Sequence, residues 1–387
     1  MKSRRAINAA LLVLLLAGWL AAGRPLFSCS TFLFRSGGVL LVGHNLDENG
    51  HVPGLVVINK RNVSKLAVSW AALLSGKPDI TPALAWASRH ASLTFNSFGR
   101  DFPDDGLNEA GLFIGEMTLV ESRYPFDPAK PRLFMGLWMQ YLLDNFETVD
   151  QVIENASTFN VDGLRWHFFA ADRSGQAAAL EFLEGKLVVH KGQAFAIPVL
   201  GNSRYEEEMS RLALYRGFGG DRPISMEDMS APRFVQAALM LREYRPGLKP
   251  AVDYCFDILR QMGRGTTRWS LVCNLNNLQA FFRTDKAAGI KSASLRDFDP
   301  DCRQPAHFLD IHSGLEGDVS REFRDLTQEV NEDSVRQAWD AIVKTVPAFE
   351  MLLKMNNSTR DEVVERFASY PEKTSCLANK RQTGIYN

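Results

Sequence analysis

The sequence predicts a layered α+β protein, in which strands and helices gather in separate blocks instead of alternating as βαβ crossovers. Three observations carry that expectation. Short extended segments fill the first hundred residues after Pro25, a strand meander lies between two helical stretches, and a late hairpin follows the second pair of helices.

In chain order, "STFLF", "VLLVG", "GLVVINK" and "SLTFNSF" are rich in β-branched and aromatic residues and are separated by Gly, Asn and Asp turn signals. "GLFIGEM" adds another strand after the turn "DDGLNEAG". "RLFMGLWMQYLLDN" is long and apolar enough for a helix against a sheet, and Thr148 to Gln151 has capping-box spacing for a second. "WHFFAAD", "AAALEFLEG" and "KLVVHKG" then read as a meander turning at Asp172–Gly175 and Glu184-Gly185. Ser230-Ala231-Pro232 reads as a helix start, with Pro in the first turn, for "RFVQAALMLREY". A further helix is expected over 251–262, and the strands "RWSLVCNL" and "QAFFRT" pair through an "NLNN" turn. From about Asp318 the chain is charged and helical, with Val335, Trp339, Ile342, Val343 and Val346 on one face until Pro347 interrupts it.

The expected organisation is a signal peptide over 1–28, one catalytic domain over 29–310, and a helical extension over 311–387 packed on that domain. Lys2, Arg4 and Arg5 precede an apolar core from Ala9 to Ala22, then a break at Gly23-Arg24-Pro25, in the order of a secretory leader. That core falls short of the ~20 apolar residues of a permanent span. Export to the periplasm or the extracellular space, with no stable span after processing, is the expectation. The leader carries four basic residues (Lys2, Arg4, Arg5, Arg24) and no acidic one, so cleavage would make a chain of formal charge −1 more acidic. Neither charge nor any basic cluster points to nucleic acid. There is no internal repeat, Walker loop or Gly-x-Ser-x-Gly elbow.

Five cysteines are few for an exported chain. Cys255 and Cys273 sit in helix-like and strand-like apolar sequence and read as buried hydrophobes, whereas Cys302 and Cys376 lie in loop-like sequence and could pair. Cys29 is the leftover thiol. His307 and His312 are five apart, not the spacing that puts two ligands on one helical face, so no metal is expected. Asn62, Asn155 and Asn357 head glycosylation sequons.

Cleavage before Cys29 would place a thiol and a free amine on one residue. A thiol with a reference pKa near ~8.5 normally needs a neighbouring base, and an α-amine near ~7.7–8.0 is one. Such a residue supplies nucleophile and general base together. If "STFLF" and "VLLVG" pair through Ser36-Gly37-Gly38, the chain after Gly43 returns "HNLD" to Cys29, which puts Asp47 where it can orient the amine.

"CSTFLF", "GHNLD", "DGLNEAGL", "VLGNSRYEE" and "SAPRFVQAA", in that order, resemble the choloylglycine hydrolase and penicillin V acylase family of N-terminal nucleophile hydrolases, from Cys29 to about Cys302. The resemblance implies a four-layer αββα sandwich and a cofactor-free hydrolase of linear carboxamides. By the same resemblance Cys29 is the nucleophile and Asp47 orients its amine. Asn202 lends its side-chain amide to the oxyanion hole, and Arg233 organises the site electrostatically. His44 stands where the family usually has arginine, replacing a permanent cation with a group expected to titrate near neutrality. In "GLFIGEMTL", Thr118 or a neighbour stands where relatives often place Asn or Tyr beside the oxyanion hole.

The implied partner is a small-molecule N-acyl amide with an apolar acyl part, of the bile-salt, penicillin V or acyl-homoserine-lactone type. "FNSF" and the helix around Trp138 are candidates to line its pocket, with core packing as their other use. Two alternatives stay open: an acyltransferase of the same fold, and a non-catalytic binding protein anchored by a lipid on Cys29. Leu26-Phe27-Ser28-Cys29 loosely matches a lipoprotein box, although Phe27 is bulky for one. A homo-oligomer is compatible with the sequence, which does not vote on it.

Overall fold

The computed structural model describes residues 29–79, 84–226 and 231–378. The expected leader, and Ser230 at the foreseen helix start, lie outside them. The architecture is helix, sheet, sheet, helix. The first sheet runs in the order Val199–Leu200, Ser30–Ser36, Val39–Asp47, Thr267–Asn274, Gln279–Thr284, Lys291–Ser294 and Gly317–Asp318. The second runs Lys186–Lys191, Ala177–Leu183, Trp166–Ala171, Phe113–Thr118, Asp105–Asn108, Ser92–Asn96, Leu55–Asn59, His307–Asp310 and Arg324–Asp325.

Alternation along the strands sets the layers. Phe113, Met117, Phe169, Ala177 and Ala179 face the seam between the sheets with Leu33 and Leu271, while Ile114, Phe168, Ala170, Leu180 and Phe182 face the other way, toward Trp138. Helices Arg233–Glu243 and Ala251–Met262 cover the outer face of the first sheet, where Phe34 meets Tyr244 edge-on at 4.8 Å between centroids. Helix Met135–Asn145 covers the second, with Trp138 against Phe168 at 4.7 Å. Trp138 is therefore core, not pocket lining.

The helix expected from Arg132 starts three residues later. Arg132–Phe134 instead pairs in parallel with Asn160–Asp162, and Phe134 N–H bonds the Val68 carbonyl, so the backbone of these residues is committed before the helix begins. The capping signal at Thr148 holds: its hydroxyl accepts from Gln151 N–H.

The C-terminal stretch forms helices Gln328–Thr345, Ala348–Met355 and Arg360–Ala368. Their apolar faces enter the core outside the second sheet, where Trp339 and Phe367 stand 5.5 Å apart and Phe367 lies 5.0 Å from Phe102. Both main sheets continue past residue 310, each gaining a short edge strand. Cys302 and Cys376 form a disulfide with Cα atoms 5.4 Å apart, and Ser375-Cys376 pairs with Val63-Ser64, so the tail is fastened by both bond types. No helix among the described residues is long and apolar enough to cross a membrane.

Candidate active site

The site is built by one hairpin. Gly37 and Gly38 both have positive φ (57° and 79°), the geometry of a tight turn whose twist matches its flanking strands. The turn fixes the register Thr31↔His44 and Ser30↔Asn45, and so brings Asp47 back to the end of the strand that Cys29 immediately precedes. Cys29 is buried, with its Sγ 4.0 Å from the Asp47 carbonyl oxygen and 3.8 Å from Glu116 Oε1.

Asp47 starts a line of hydrogen bonds. Thr267, at an irregularity of the neighbouring strand, donates its hydroxyl to Asp47 Oδ1. Arg233 Nη1 lies 3.3 Å from Asp47 Oδ2, and its Nη2 donates to Asn202 Oδ1. Asn202 Nδ2 in turn donates to the Thr118 carbonyl at 2.9 Å. Arg233 occupies the first turn of its helix, where the dipole disfavours a cation, and the Asp47 carboxylate offsets that cost. With Arg233 fixing its oxygen and Thr118 fixing its nitrogen, the Asn202 amide has one orientation, and Nδ2 carries a second hydrogen that a developing oxyanion can use.

Burial pushes the Asp47 carboxyl up to about 6, against the Thr267 hydrogen bond and the Arg233 charge, which pull it down. The Cys29 thiol is pushed well above its ordinary range by burial, and further by Glu116 and Asp47. While residue 28 remains attached, the Cys29 nitrogen is an amide and offers no base to that thiol.

Four of the five predicted residues come together here: Cys29, Asp47, Asn202 and Arg233. His44 does not join them. It is fully buried between the sheets, its Nδ1 2.7 Å from Thr31 Oγ1 and its Nε2 3.7 Å from Asp105 Oδ2. Burial pushes the imidazole down to about 3, which corrects the expectation of a group titrating near neutrality. Replacing His44 by Leu should cost about 1–3 kcal/mol in denaturant unfolding, through lost buried polar contacts, while leaving any acid limb of activity in place. A moved limb would return His44 to the site.

Glu116 is the residue that sequence reasoning missed. It belongs to a group of buried carboxyls, with Glu48, Asp104 and Asp105, all pushed upward by burial first; Asp104 reaches about 7. Glu116 and Asp105 are also raised by their carboxyl neighbours. The available signal was an acidic residue inside the apolar strand "FIGEMT". Thr118 contributes its carbonyl oxygen to Asn202.

A cavity of about 490 Å³ opens beside Thr267, walled by Leu259, Trp269, Arg264 and Arg283 among others. Phe98, from "FNSF", borders a different niche with Trp70, Phe102 and Phe134 that retains only about 10 Å³, room for about one water and too little for an acyl group.

Two facing sheets between helical layers, with a cysteine immediately preceding the first inner strand and Asp47, Arg233 and Asn202 linked beside it, define a sandwich of the N-terminal nucleophile hydrolase type. The model of the linear amide C–N hydrolases, choloylglycine hydrolase family, matches residues 40–308, and the chain belongs to that family. A penicillin V acylase of Pectobacterium atrosepticum is 26% identical over 246 residues, spanning 52% of this chain and 65% of that relative, just under two thirds of its length. Among solved structures, penicillin V acylase from Agrobacterium tumefaciens superposes with a TM-score of 0.67 at 22% identity, covering 77% of this chain and 98% of the other. A conjugated bile acid hydrolase from Clostridium perfringens gives 0.58 at 18% identity, covering 73% and 97%. At these identities the superpositions establish the fold.

Proposed function

We propose that the protein is an exported cysteine amidohydrolase, matured by cleavage before Cys29, that splits the C–N bond of linear N-acyl amides. Membership of the linear amide hydrolases gives the reaction class. The observation that carries the mechanism is the hydrogen-bonded line from Thr267 through Asp47 and Arg233 to Asn202, next to the Cys29 sulfur.

In the mature chain the Cys29 amine takes the thiol proton as sulfur bonds to the substrate carbonyl carbon. The carbonyl electron pair moves onto oxygen, which accepts from Asn202 Nδ2 and a backbone N–H. Collapse breaks the C–N bond, and the ammonium returns its proton to the departing nitrogen. Water, deprotonated by the same amine, attacks the thioester and releases the acid, with the proton restored to sulfur. Asp47 holds the amine in place, and Arg233 keeps Asp47 ionised. The Asn202 donor contributes about 3 kcal/mol toward the tetrahedral transition state.

Substrates of the bile-salt, penicillin V or acyl-homoserine-lactone type fit this reading, because relatives are named for the first two and the cavity beside Thr267 has apolar and cationic walls. The test is intact mass and N-terminal sequencing of the secreted protein, followed by a panel of these amides with and without an added amine acceptor. A free N-terminal Cys29 and acid release are expected. An acylated Cys29 would point to a lipid-anchored binding protein, and acyl transfer to the added amine to an acyltransferase.

The Asp47 value sets a pH dependence. Above about 6 the carboxylate is charged and can hold the amine; below it that function is lost, so activity should fall on the acid side near pH 6. Arg233 lowers the Asp47 value, so Arg233→Met should move this limb to higher pH and reduce kcat. An unmoved limb in that variant would remove Asp47 as its source. Because the folded value exceeds the ordinary 3.8, Asp47 also lowers stability progressively as pH rises from about 4 to about 6.

A further inference from the structure

A second buried polar network lies at the same seam and is unused by the reaction above. Glu181, on the strand Ala177–Leu183, receives three donors: His167 Nδ1 at 3.1 Å, His190 Nε2 at 3.1 Å and the Tyr205 N–H at 3.0 Å. His167 and Glu181 are fully buried and His190 nearly so. The other nitrogen of His167, Nε2, lies 2.8 Å from the carbonyl oxygen of Gly201.

A carbonyl oxygen can only accept, so Nε2 carries a hydrogen. Glu181 Oε1 already accepts from the Tyr205 N–H. Burial opposes ionisation of Glu181, yet the hydrogen bonds from its neighbours outweigh it and hold the carboxyl down at about 2. Glu181 Oε1 faces the Tyr205 N–H and His167 Nδ1 together, an acceptor shared by two donors, so Nδ1 carries a hydrogen as well. A histidine with two acceptors on its two nitrogens is an imidazolium, and Glu181 supplies the countercharge that a buried cation requires.

What this cation grips matters more than its charge. Gly201 follows the edge strand Val199–Leu200 of the first sheet, whereas His167 stands on the second, opposite Met117. The bond spans the seam, and the next residue is Asn202. The side chain of Asn202 is already held by Thr118 and Arg233, and its preceding peptide is held by His167. We propose that His167 is a protonated positioning residue: paired with Glu181, its imidazolium clamps the Gly201 carbonyl to the second sheet and so fixes the peptide that aims Asn202. This deepens the proposed function and rests on Asn202 serving as the oxyanion donor. Misplacing a donor by an ångström is enough for large losses in rate.

The test uses the full mature protein with selectively labelled histidine and asparagine. In the parent, ¹⁵N-coupled spectra should show a directly bonded proton on both His167 ring nitrogens at pH 7.5. A bare ring nitrogen would overturn the proposal, since it would mean that Glu181 holds the proton. In His167→Gln, Glu181 keeps two of its donors and the fold is expected to persist. Penicillin V hydrolysis should then lose about 10- to 100-fold in kcat with KM changed less than about twofold. The Asn202 side-chain amide pair should shift and broaden. Unchanged kcat, or an unchanged Asn202 amide pair, would overturn the positioning role. If the parent hydrolyses no acyl amide, the proposed function fails, while the ring protons and the Asn202 resonances still decide whether this clamp exists.

Discussion

Serine at position 29 of the processed protein is expected to leave the fold unchanged and to lower acyl-amide turnover by about 10³-fold or more. The substitution is close to isosteric, and the contacts that a hydroxyl must replace, the Asp47 carbonyl oxygen and Glu116, are both acceptors or dipolar groups that an O–H satisfies. What disappears is acidity. A serine hydroxyl does not yield its proton to an α-amine near neutral pH, whereas a thiol does so readily. The site adds to the contrast, because burial and the neighbouring carboxyls already raise the Cys29 thiol, leaving little margin for a weaker acid. Steady-state rates on penicillin V and on a conjugated bile acid, with the unfolding midpoint as a control, make the measurement. Turnover equal to the parent's would mean that another group attacks the substrate.

The second large effect concerns the C-terminal helices. Trp339→Ala is expected to lower stability by about 3–5 kcal/mol, read as a shift of the urea midpoint at unchanged slope. Trp339 is fully buried, and its ring centroid lies 5.5 Å from Phe367, 6.1 Å from Trp70 and 6.1 Å from Phe349. Trp339→Phe should cost much less, because its indole N–H is buried without a hydrogen-bond partner among the described residues and leaves together with the excess volume. A midpoint unmoved by the alanine substitution would mean that these helices lie on the domain without sharing its core.

Much of this molecule was legible in advance where a local rule has one structural outcome. The Gly37-Gly38 turn fixes the hairpin, the hairpin fixes where Asp47 falls, and no longer-range information is needed. Arg233 was legible through the resemblance, as the arginine that organises the site, and its partner was not. Apolar period likewise sufficed for the helix over 251–262 and for the apolar stripe through Trp339. Other features depend on partners far along the chain. His44 reads as a switch near neutrality only while its surroundings are unknown, since its protonation is decided by burial between two sheets. Glu116 meets Cys29 across 87 positions, and His167, Glu181, His190 and Gly201 come from four different segments. No spacing within one strand announces such meetings. The Cys302–Cys376 bond belongs to the same kind: loop composition permits it, and only the pairing of Ser375-Cys376 beside Val63 brings the two sulfurs together.

That bond governs how the C-terminal layer can come apart. Its helices lie inside a covalent ring closed across 74 positions, so when they melt they swing out as a tethered loop and stay at high local concentration beside the groove they left. Reattachment is then a unimolecular event, independent of protein concentration. A reductant would turn the same excursion into a free tail, open to proteases and to intermolecular capture by the aromatic surface it uncovers.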